Sequence, residues 1–196
     1  MKYLPYLSLL IISLIAFDAN AQRLKHFQAE GSIGIFYGTG SDAENLKIGP
    51  SMEVAGRYYF NKNIRAGVVF QFAMPDTKAE DAPDAVDITI TNVFGAISGG
   101  WLQKINKKLS IAGDLEFGYL RQTFSGGGSS NFYDGWHVGI VASGIYKIDE
   151  NYSFYARVRY SIGIWNEECL NIVGVEECTT PDLNSITISA GFSYHF

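Results

Sequence analysis

Hydrophobic and polar residues alternate along most of the chain after residue 26. In the closing stretch ITISAGFSYHF, every second position is mostly apolar or aromatic, and the positions between them are mostly small or polar. A period of two residues is typical of β-strands that have one face in apolar surroundings. The pattern predicts eight strands, which span approximately residues 27–38, 47–60, 64–74, 88–103, 109–122, 136–148, 152–164 and 186–196.

The fourth predicted strand is less regular than the others, because large apolar residues occupy both of its rows. One row holds Ile88, Ile90, Phe94, Ala96 and Leu102, and the other holds Val93, Ile97 and Trp101. A β-bulge near Gly95, or at Gly99 and Gly100, could switch the register of this strand. The pattern alone leaves open which row faces outward.

The connections between the predicted strands alternate between short turns and long polar loops. The short turns are residues 61–63, 104–108 and 149–151, and the long loops are residues 39–46, 75–87, 125–134 and 165–184. With an even number of strands, both chain ends then lie on the side of the short turns. Transmembrane β-barrels of outer membranes have this asymmetry, with short periplasmic turns and long extracellular loops.

The size of the apolar side chains indicates which face of the strands is outside. The apolar rows contain far more large side chains than the roughly twelve that fill the interior of an eight-stranded barrel. Their aromatic members also form two groups, one beside the short turns and one toward the long loops, as the two interfaces of a bilayer favour. The predicted fold is therefore all-β, an eight-stranded antiparallel up-and-down transmembrane β-barrel. A secreted sandwich and a lipocalin-like ligand barrel are the alternatives.

The opposite rows would line a narrow lumen, and they consist mostly of small residues with a few ionic ones. Those ionic residues are Glu30, Glu53, Asp114 and Glu116 together with Arg57, Arg65, Lys147, Arg157 and Arg159. Buried charges need partners, and this set is nearly neutral, so the sequence predicts a charge network in the lumen. The same residues would also suit the solvated face of a soluble sandwich.

The first residues have the composition of an export signal. One lysine precedes an uncharged apolar run over residues 3–17, and Ala19-Asn20-Ala21 has the form of a signal-peptidase site. We expect a cleaved signal peptide over residues 1–21 and a barrel domain over residues 22–196. No later stretch contains the 18 or more uninterrupted apolar residues of a helical span, and the net charge of −5 argues against a nucleic-acid partner.

The two cysteines, Cys169 and Cys178, lie in the last long loop. In an exported protein, two nearby cysteines favour a disulfide, which would contribute about 2.7 kcal/mol by the chain-entropy relation. Two free thiols are the alternative. No histidine or second cysteine pair lies at ligand spacing, so neither a metal site nor a cofactor is expected.

With these features, the chain resembles the small eight-stranded outer-membrane barrels of Gram-negative bacteria, such as the membrane domain of outer-membrane protein A and the related protein X. Phe192, Tyr194 and Phe196 resemble the terminal aromatic signal by which the outer-membrane assembly machinery recognises such barrels. The resemblance implies that the protein lies in the outer membrane, in contact with its lipid, with both termini in the periplasm.

Three functions are compatible with such a barrel. The favoured one is a non-enzymatic envelope protein that is structural or acts through its extracellular loops. The sequence does not identify a ligand for these loops. The acidic loop around the cysteines could bind cations or a basic partner. A lipid acyl hydrolase or transferase would need His137, with Asp134 and the serines at 125, 129 and 130, at the outer rim. A channel for small solutes is the third, although a filled eight-stranded lumen leaves no aqueous pore.

Overall fold

The structure, a computed structural model, describes residues 26–40, 48–75, 89–126, 129–166, 168–172, 175–179 and 184–196. The predicted signal peptide, residues 1–21, lies outside these residues. The strands are β1 (Phe27–Thr39), β2 (Gly49–Tyr59), β3 (Ile64–Ala73), β4 (Thr89–Lys104), β5 (Leu109–Gly126), β6 (Ser129–Lys147), β7 (Tyr152–Trp165), β8 (Glu168–Ile172), β9 (Val175–Thr179) and β10 (Asn184–His195). No helix in the described part of the chain is long and apolar enough to cross a membrane.

Eight of these strands form a closed barrel in the order β1-β10-β7-β6-β5-β4-β3-β2. Every neighbouring pair is antiparallel, and the ring closes where β1 pairs with β10 from Gln28 opposite His195 to Thr39 opposite Asn184. The predicted eight-stranded antiparallel barrel is therefore confirmed. We call its two ends the turn end, where the short connections lie, and the loop end.

The apolar rows face outward, as their volume requires. Ile33 is 73% exposed and Leu115 is 64% exposed, whereas Arg57 and Arg159 on the alternate rows are fully buried. Outward apolar surface of this extent is unfavourable in water and favourable against acyl chains. The burial pattern thus agrees with a barrel that has a lipid-facing wall and a filled interior.

Strand β4 is regular, so the suggested bulge at its glycines is wrong. Its register with β5 runs without interruption from Thr89 opposite Ser125 to Lys104 opposite Ser110. The row that contains Phe94 and Leu102 faces inward. This strand carries large apolar residues on both faces because it contributes to the lipid-facing wall and to apolar layers inside the lumen.

Two of the predicted loops contain more strand than expected. Strands β5 and β6 stay paired as far as Gly126 opposite Ser129, so most of the predicted loop at 125–134 belongs to a long hairpin. Inside this hairpin the rings of Phe124 and Tyr133 meet edge to face with centroids 5.7 Å apart. The last loop contains a second hairpin, formed by β8 and β9. The sequence pattern did not predict these two hairpins because their residues are mostly polar. Strands that extend beyond the bilayer do not need a lipid-facing apolar row.

The three short turns share one construction. The side-chain oxygen of Asn61 accepts hydrogen bonds from the backbone N–H groups two and three residues later, both at 2.8 Å. Asn106 and Asp149 do the same in their own turns, at 2.7–2.8 Å. Such Asx turns replace the backbone bonds that the reversing chain lacks, and they keep these connections short.

Candidate functional site: the filled lumen

Eight charged side chains occupy the middle of the lumen. They are Glu30 on β1, Glu53 and Arg57 on β2, Arg65 on β3, Asp114 and Glu116 on β5, and Arg157 and Arg159 on β7. None is more than 6% exposed. They point inward because each lies in the row opposite to the lipid-facing one. Four carboxylates and four guanidinium groups give this cluster, which we call the lumen network, a formal charge of zero.

Glu30 lies at the centre of the network and contacts three arginines. Its Oε1 accepts a hydrogen bond from Arg57 Nε at 2.9 Å, and its Oε2 accepts one from Arg157 Nη2 at 2.5 Å. Arg65 Nη1 is 3.9 Å from Glu30 Oε1. One carboxylate from β1 therefore connects β2, β3 and β7 across the lumen.

On one side of Glu30 the network ends in a bidentate pair. Arg65 donates from Nε to Asp114 Oδ1 at 2.9 Å and from Nη2 to Oδ2 at 2.6 Å. Arg57 Nη1 is also within 3.3 Å of Asp114 Oδ1, so this carboxylate joins two arginines. Two parallel bonds in the plane of the guanidinium group are the strongest arrangement available to such a pair.

On the other side, Glu53 bridges two arginines of β7. It accepts a short hydrogen bond from Arg157, and its Oε2 is 2.6 Å from Arg159 Nη1. Arg159 then binds both oxygens of Glu116, at 2.8 and 3.1 Å. Charges of opposite sign thus alternate without interruption across the lumen, which satisfies the pairing that buried ions require.

Lys147 does not belong to this network. Its position in the alternation is the inward one, but it lies at the last residue of β6 and its side chain is exposed. Alternation specifies the face of a strand and not the depth along the barrel axis. The prediction that Lys147 lines the buried lumen is therefore wrong.

Apolar layers lie on both sides of the lumen network, and the sequence did not predict them. Toward the loop end, Ile90, Phe94, Leu120 and Trp165 form a buried cluster. Toward the turn end, Leu102, Ala112, Ile145 and Tyr155 form another. These residues occupy the inward row of their strands, and that position is the signal that could have identified them.

Very little free volume remains at the loop-end layer. A cavity of about 10 Å³ lies among side chains that include Phe94, His137 and Trp165. That volume is enough for about one water molecule. The lumen at this level is filled by protein.

His137 lies in the lumen and not at an open rim. It is fully buried, its ring stacks on Phe94 with centroids 4.1 Å apart, and its Nε2 is 3.5 Å from Glu116 Oε2. Gly139 leaves room for this contact, because an added Cβ there would lie 2.8 Å from His137 Nε2. The structure does not bring His137 and Asp134 together, because they face opposite sides of the barrel wall.

Asp134 instead pairs with Arg121 on the outer face of the long hairpin. Arg121 donates from Nε and Nη2 to the two carboxylate oxygens at 2.7 and 2.9 Å. The pair lies just beyond the Tyr119 and Trp136 row, outside the membrane-spanning segment. Hydrogen bonds from Arg121 hold the pKa of the Asp134 carboxyl below its usual range, so Asp134 is a poor candidate for a catalytic base.

Phe192, Tyr194 and Phe196 lie in the outward row near the turn end. The ring of Phe192 packs against Phe154 at 5.5 Å, and that of Tyr194 packs against Tyr152 at 5.0 Å. Tyr194 and Phe196 also meet edge to face at 4.8 Å. The three residues therefore belong to a continuous aromatic belt on the lipid-facing wall. Their role as an assembly signal stays a prediction.

The backbone places Cys169 and Cys178 directly opposite each other in the β8–β9 hairpin. Opposed residues of an antiparallel pair have Cα atoms about 4.5–5.5 Å apart, which is within the range of a disulfide. The side chains of both cysteines lie outside the described part of the structure, so the disulfide stays a prediction. Within the described residues, no group of three or more histidine, cysteine or acidic side chains could hold a metal ion.

The chain matches the family described as "Outer membrane protein beta-barrel domain" over residues 6–196. It therefore belongs to that family of outer-membrane β-barrel proteins. No curated protein matches the chain.

Several solved structures have the same fold. The neisserial surface protein A superposes with a TM-score of 0.63 at 17% sequence identity, covering 87% of this chain and 97% of that one. OprG from Pseudomonas aeruginosa gives 0.56 at 14% identity, covering 87% and 95%. Ail, the attachment invasion locus protein of Yersinia pestis, gives 0.51 at 19% identity, covering 87% and 99%. At these identities the likeness concerns the fold alone.

Proposed function

We propose that the protein is a non-enzymatic outer-membrane barrel with a sealed lumen, which contributes to envelope structure and presents its loop end to the exterior for surface interactions. Both termini would then lie in the periplasm. The lipid of the outer membrane and the outer-membrane assembly machinery would be its partners.

The single observation that carries this proposal is the filling of the lumen. Eight paired ionic side chains lie between two apolar layers, and the loop-end layer has a cavity of only about 10 Å³. An ion that entered would have to break buried ion pairs and lose its hydration shell in apolar surroundings. These costs argue against the channel alternative.

The described geometry also argues against the enzymatic alternative. Asp134 is bound on both carboxylate oxygens by Arg121, and His137 is stacked beneath Phe94 with no exposed surface. A lipid-modifying centre needs a base within reach of a nucleophile and of a substrate that enters from the bilayer. A fully buried histidine facing the lumen does not meet that requirement.

The sealed lumen predicts the electrical behaviour of the protein. Purified protein whose band shifts on a gel after boiling, the mark of a folded barrel, should give no steady ion current in planar bilayers. The reason is that an ion would have to separate buried ion pairs of the network and pass two apolar layers. A general porin inserted under the same conditions is the positive control, and stable single-channel steps from this protein would contradict the proposal.

The proposed orientation can be tested by cysteine labelling on cells. In a parent with Cys169→Ser and Cys178→Ser, a membrane-impermeant maleimide should label Phe132→Cys on intact cells, because Phe132 is 51% exposed on the long hairpin. Ile105→Cys is the matched control, since Ile105 is 55% exposed at the turn end. It should react only after the outer membrane is permeabilised. The reverse pattern would place the termini outside.

A further inference from the structure

Lysine and arginine occupy different parts of the barrel. Every lysine in the described part of the chain is exposed at the turn end: Lys62, Lys104, Lys107, Lys108 and Lys147. The described arginines lie in the lumen network, except for Arg121 at the loop end. The turn end therefore carries a concentration of positive charge, although the whole chain has a net charge of −5.

Four of these lysines cluster around one projecting hairpin. The pairing of β3 with β4 ends at Ile64 opposite Trp101, whereas the pairing of β4 with β5 continues to Lys104 opposite Ser110. The backbone N–H of Lys147 donates to the carbonyl of Lys108 at 2.7 Å, which makes these two residues neighbours. We call Lys104, Lys107, Lys108 and Lys147 the basic turn.

In the part of the chain that the structure describes, the basic turn has no ion pair of its own. None of its four ammonium groups has a carboxylate within ion-pair distance among the described residues, where the ion pairs all involve arginine or histidine. The adjacent turn contains two acidic residues, Asp149 and Glu150, so the four lysines outnumber them. Four exposed like charges on neighbouring strand ends give this patch a positive potential, which attracts an anion.

The ammonium group of Lys108 shows where the basic turn lies relative to the bilayer. Lys108 Nζ lies over the ring of Tyr146, 5.9 Å from its centroid. Tyr146 is 46% exposed in the outward row, between Leu109 and Phe154 in the register. Tyrosine in the outward belt of a barrel marks the headgroup level of a bilayer, and a lysine beside it extends its charge to the same level. The ammonium group therefore lies on the lipid side of the wall.

We propose that the basic turn binds the phosphate of an anionic phospholipid in the leaflet that meets the turn end. The position of Lys108 on the outward face favours a lipid over a soluble acidic partner, because a lipid phosphate lies beside the wall at that level. The flexible lysine side chain can follow a mobile lipid headgroup. In the lumen, by contrast, the planar guanidinium groups of arginine bind carboxylates that are held in place. This proposal depends on the barrel spanning the membrane, and not on which function the barrel serves.

The test measures lipid preference around the folded protein. Nanodiscs would contain phosphatidylcholine and phosphatidylglycerol at a ratio of about four to one, and spin-labelled versions of each lipid would report their relative association with the wall. The wild type should prefer phosphatidylglycerol at low salt. Each lysine near an anionic lipid surface strengthens the association by up to about fivefold. Lys108→Gln should therefore lower the preference for phosphatidylglycerol by several-fold. A triple variant that also has Lys104→Gln and Lys107→Gln should remove most of the preference.

Lys62→Gln is the matched control, because Lys62 has the same charge at the same end but belongs to the turn between β2 and β3. It should reduce the preference by much less than Lys108→Gln does. An equal loss in both variants would show a diffuse charge effect and overturn the assignment. Absence of any preference in the wild type would also overturn it.

Two further readouts keep the result interpretable. A heat-dependent gel shift for every variant shows that the barrel is folded, so a lost preference is distinguishable from a lost fold. Sodium phosphate and sodium chloride of equal ionic strength should reduce the preference equally, because both act by screening. A specific effect of phosphate would identify free phosphate as the ligand and contradict the lipid proposal.

Discussion

Replacing Glu30 with alanine should lower the free energy of unfolding by about 3–5 kcal/mol, the cost expected when one member of a buried ionic group is removed. The reason is that Glu30 neutralises Arg57 and Arg157 and lies 3.9 Å from Arg65. Its loss leaves more positive charge than the remaining carboxylates can balance. Denaturant unfolding of the protein in lipid vesicles, followed by tryptophan fluorescence, measures the change.

Ser32→Ala is the matched control for this variant. Ser32 is the next inward residue on β1 and is 8% exposed, but it carries no charge. Its replacement should change stability by less than about 1 kcal/mol, as is usual for a single neutral hydroxyl. Adding Arg157→Ala to Glu30→Ala should cost less than the sum of the two single changes, because the second change makes the numbers of positive and negative charges in the network equal again. Strict additivity would show that the network does not act as a unit.

Introducing arginine at Leu115 should have the second largest effect. Leu115 is 64% exposed in the middle of the outward row of β5. A charged side chain at the bilayer midplane of a barrel costs about 2–4 kcal/mol, and the cost falls to about 0–1 kcal/mol near the interfaces. Leu115→Arg should therefore reduce stability by about 2–4 kcal/mol in vesicles, measured by the same unfolding experiment.

Ile148→Arg provides the comparison at a different depth. Ile148 is 49% exposed and follows β6 at the turn end, where an arginine can reach the headgroups. The expected cost there is about 0–1 kcal/mol. If both variants had the same stability as the wild type, the outward wall would not be in contact with the apolar core of a bilayer.

Alternation was sufficient to predict the barrel and most of its lumen network. Glu53 and Arg157 lie in strands where one row is small or charged and the other is large and apolar. The sequence therefore shows directly that both residues face inward. The ionic partners did not follow, because Glu30 and Arg157 lie on strands far apart in the sequence. Which inward residues meet depends on the order and register of the strands in the closed ring.

The predictions were wrong in two situations. In one, both rows of a strand are apolar, and in the other, alternation gives the face of a residue but not its depth along the barrel axis. Strand β4 has Phe94 inside and Ile97 outside, so both of its rows are apolar and neither identifies the lipid face. Lys147 has inward alternation but lies at the end of its strand, where its side chain is exposed. The long hairpin around Tyr133 extends beyond the bilayer, where strands need no apolar row. For β4 the missing information is which row faces the lipid, and for Lys147 and the long hairpin it is the depth along the barrel axis.

The seam between β1 and β10 has a consequence for how the chain reaches the membrane. These strands are neighbours in space, yet almost the whole described chain separates them. Before they meet, the nascent sheet has two open edges, and each unpaired amide or carbonyl exposed to hydrocarbon costs several kcal/mol. Contacts between such distant segments also form slowly. A partly made barrel is therefore unfavourable in the bilayer unless another chain pairs with its open edges until the final strand arrives.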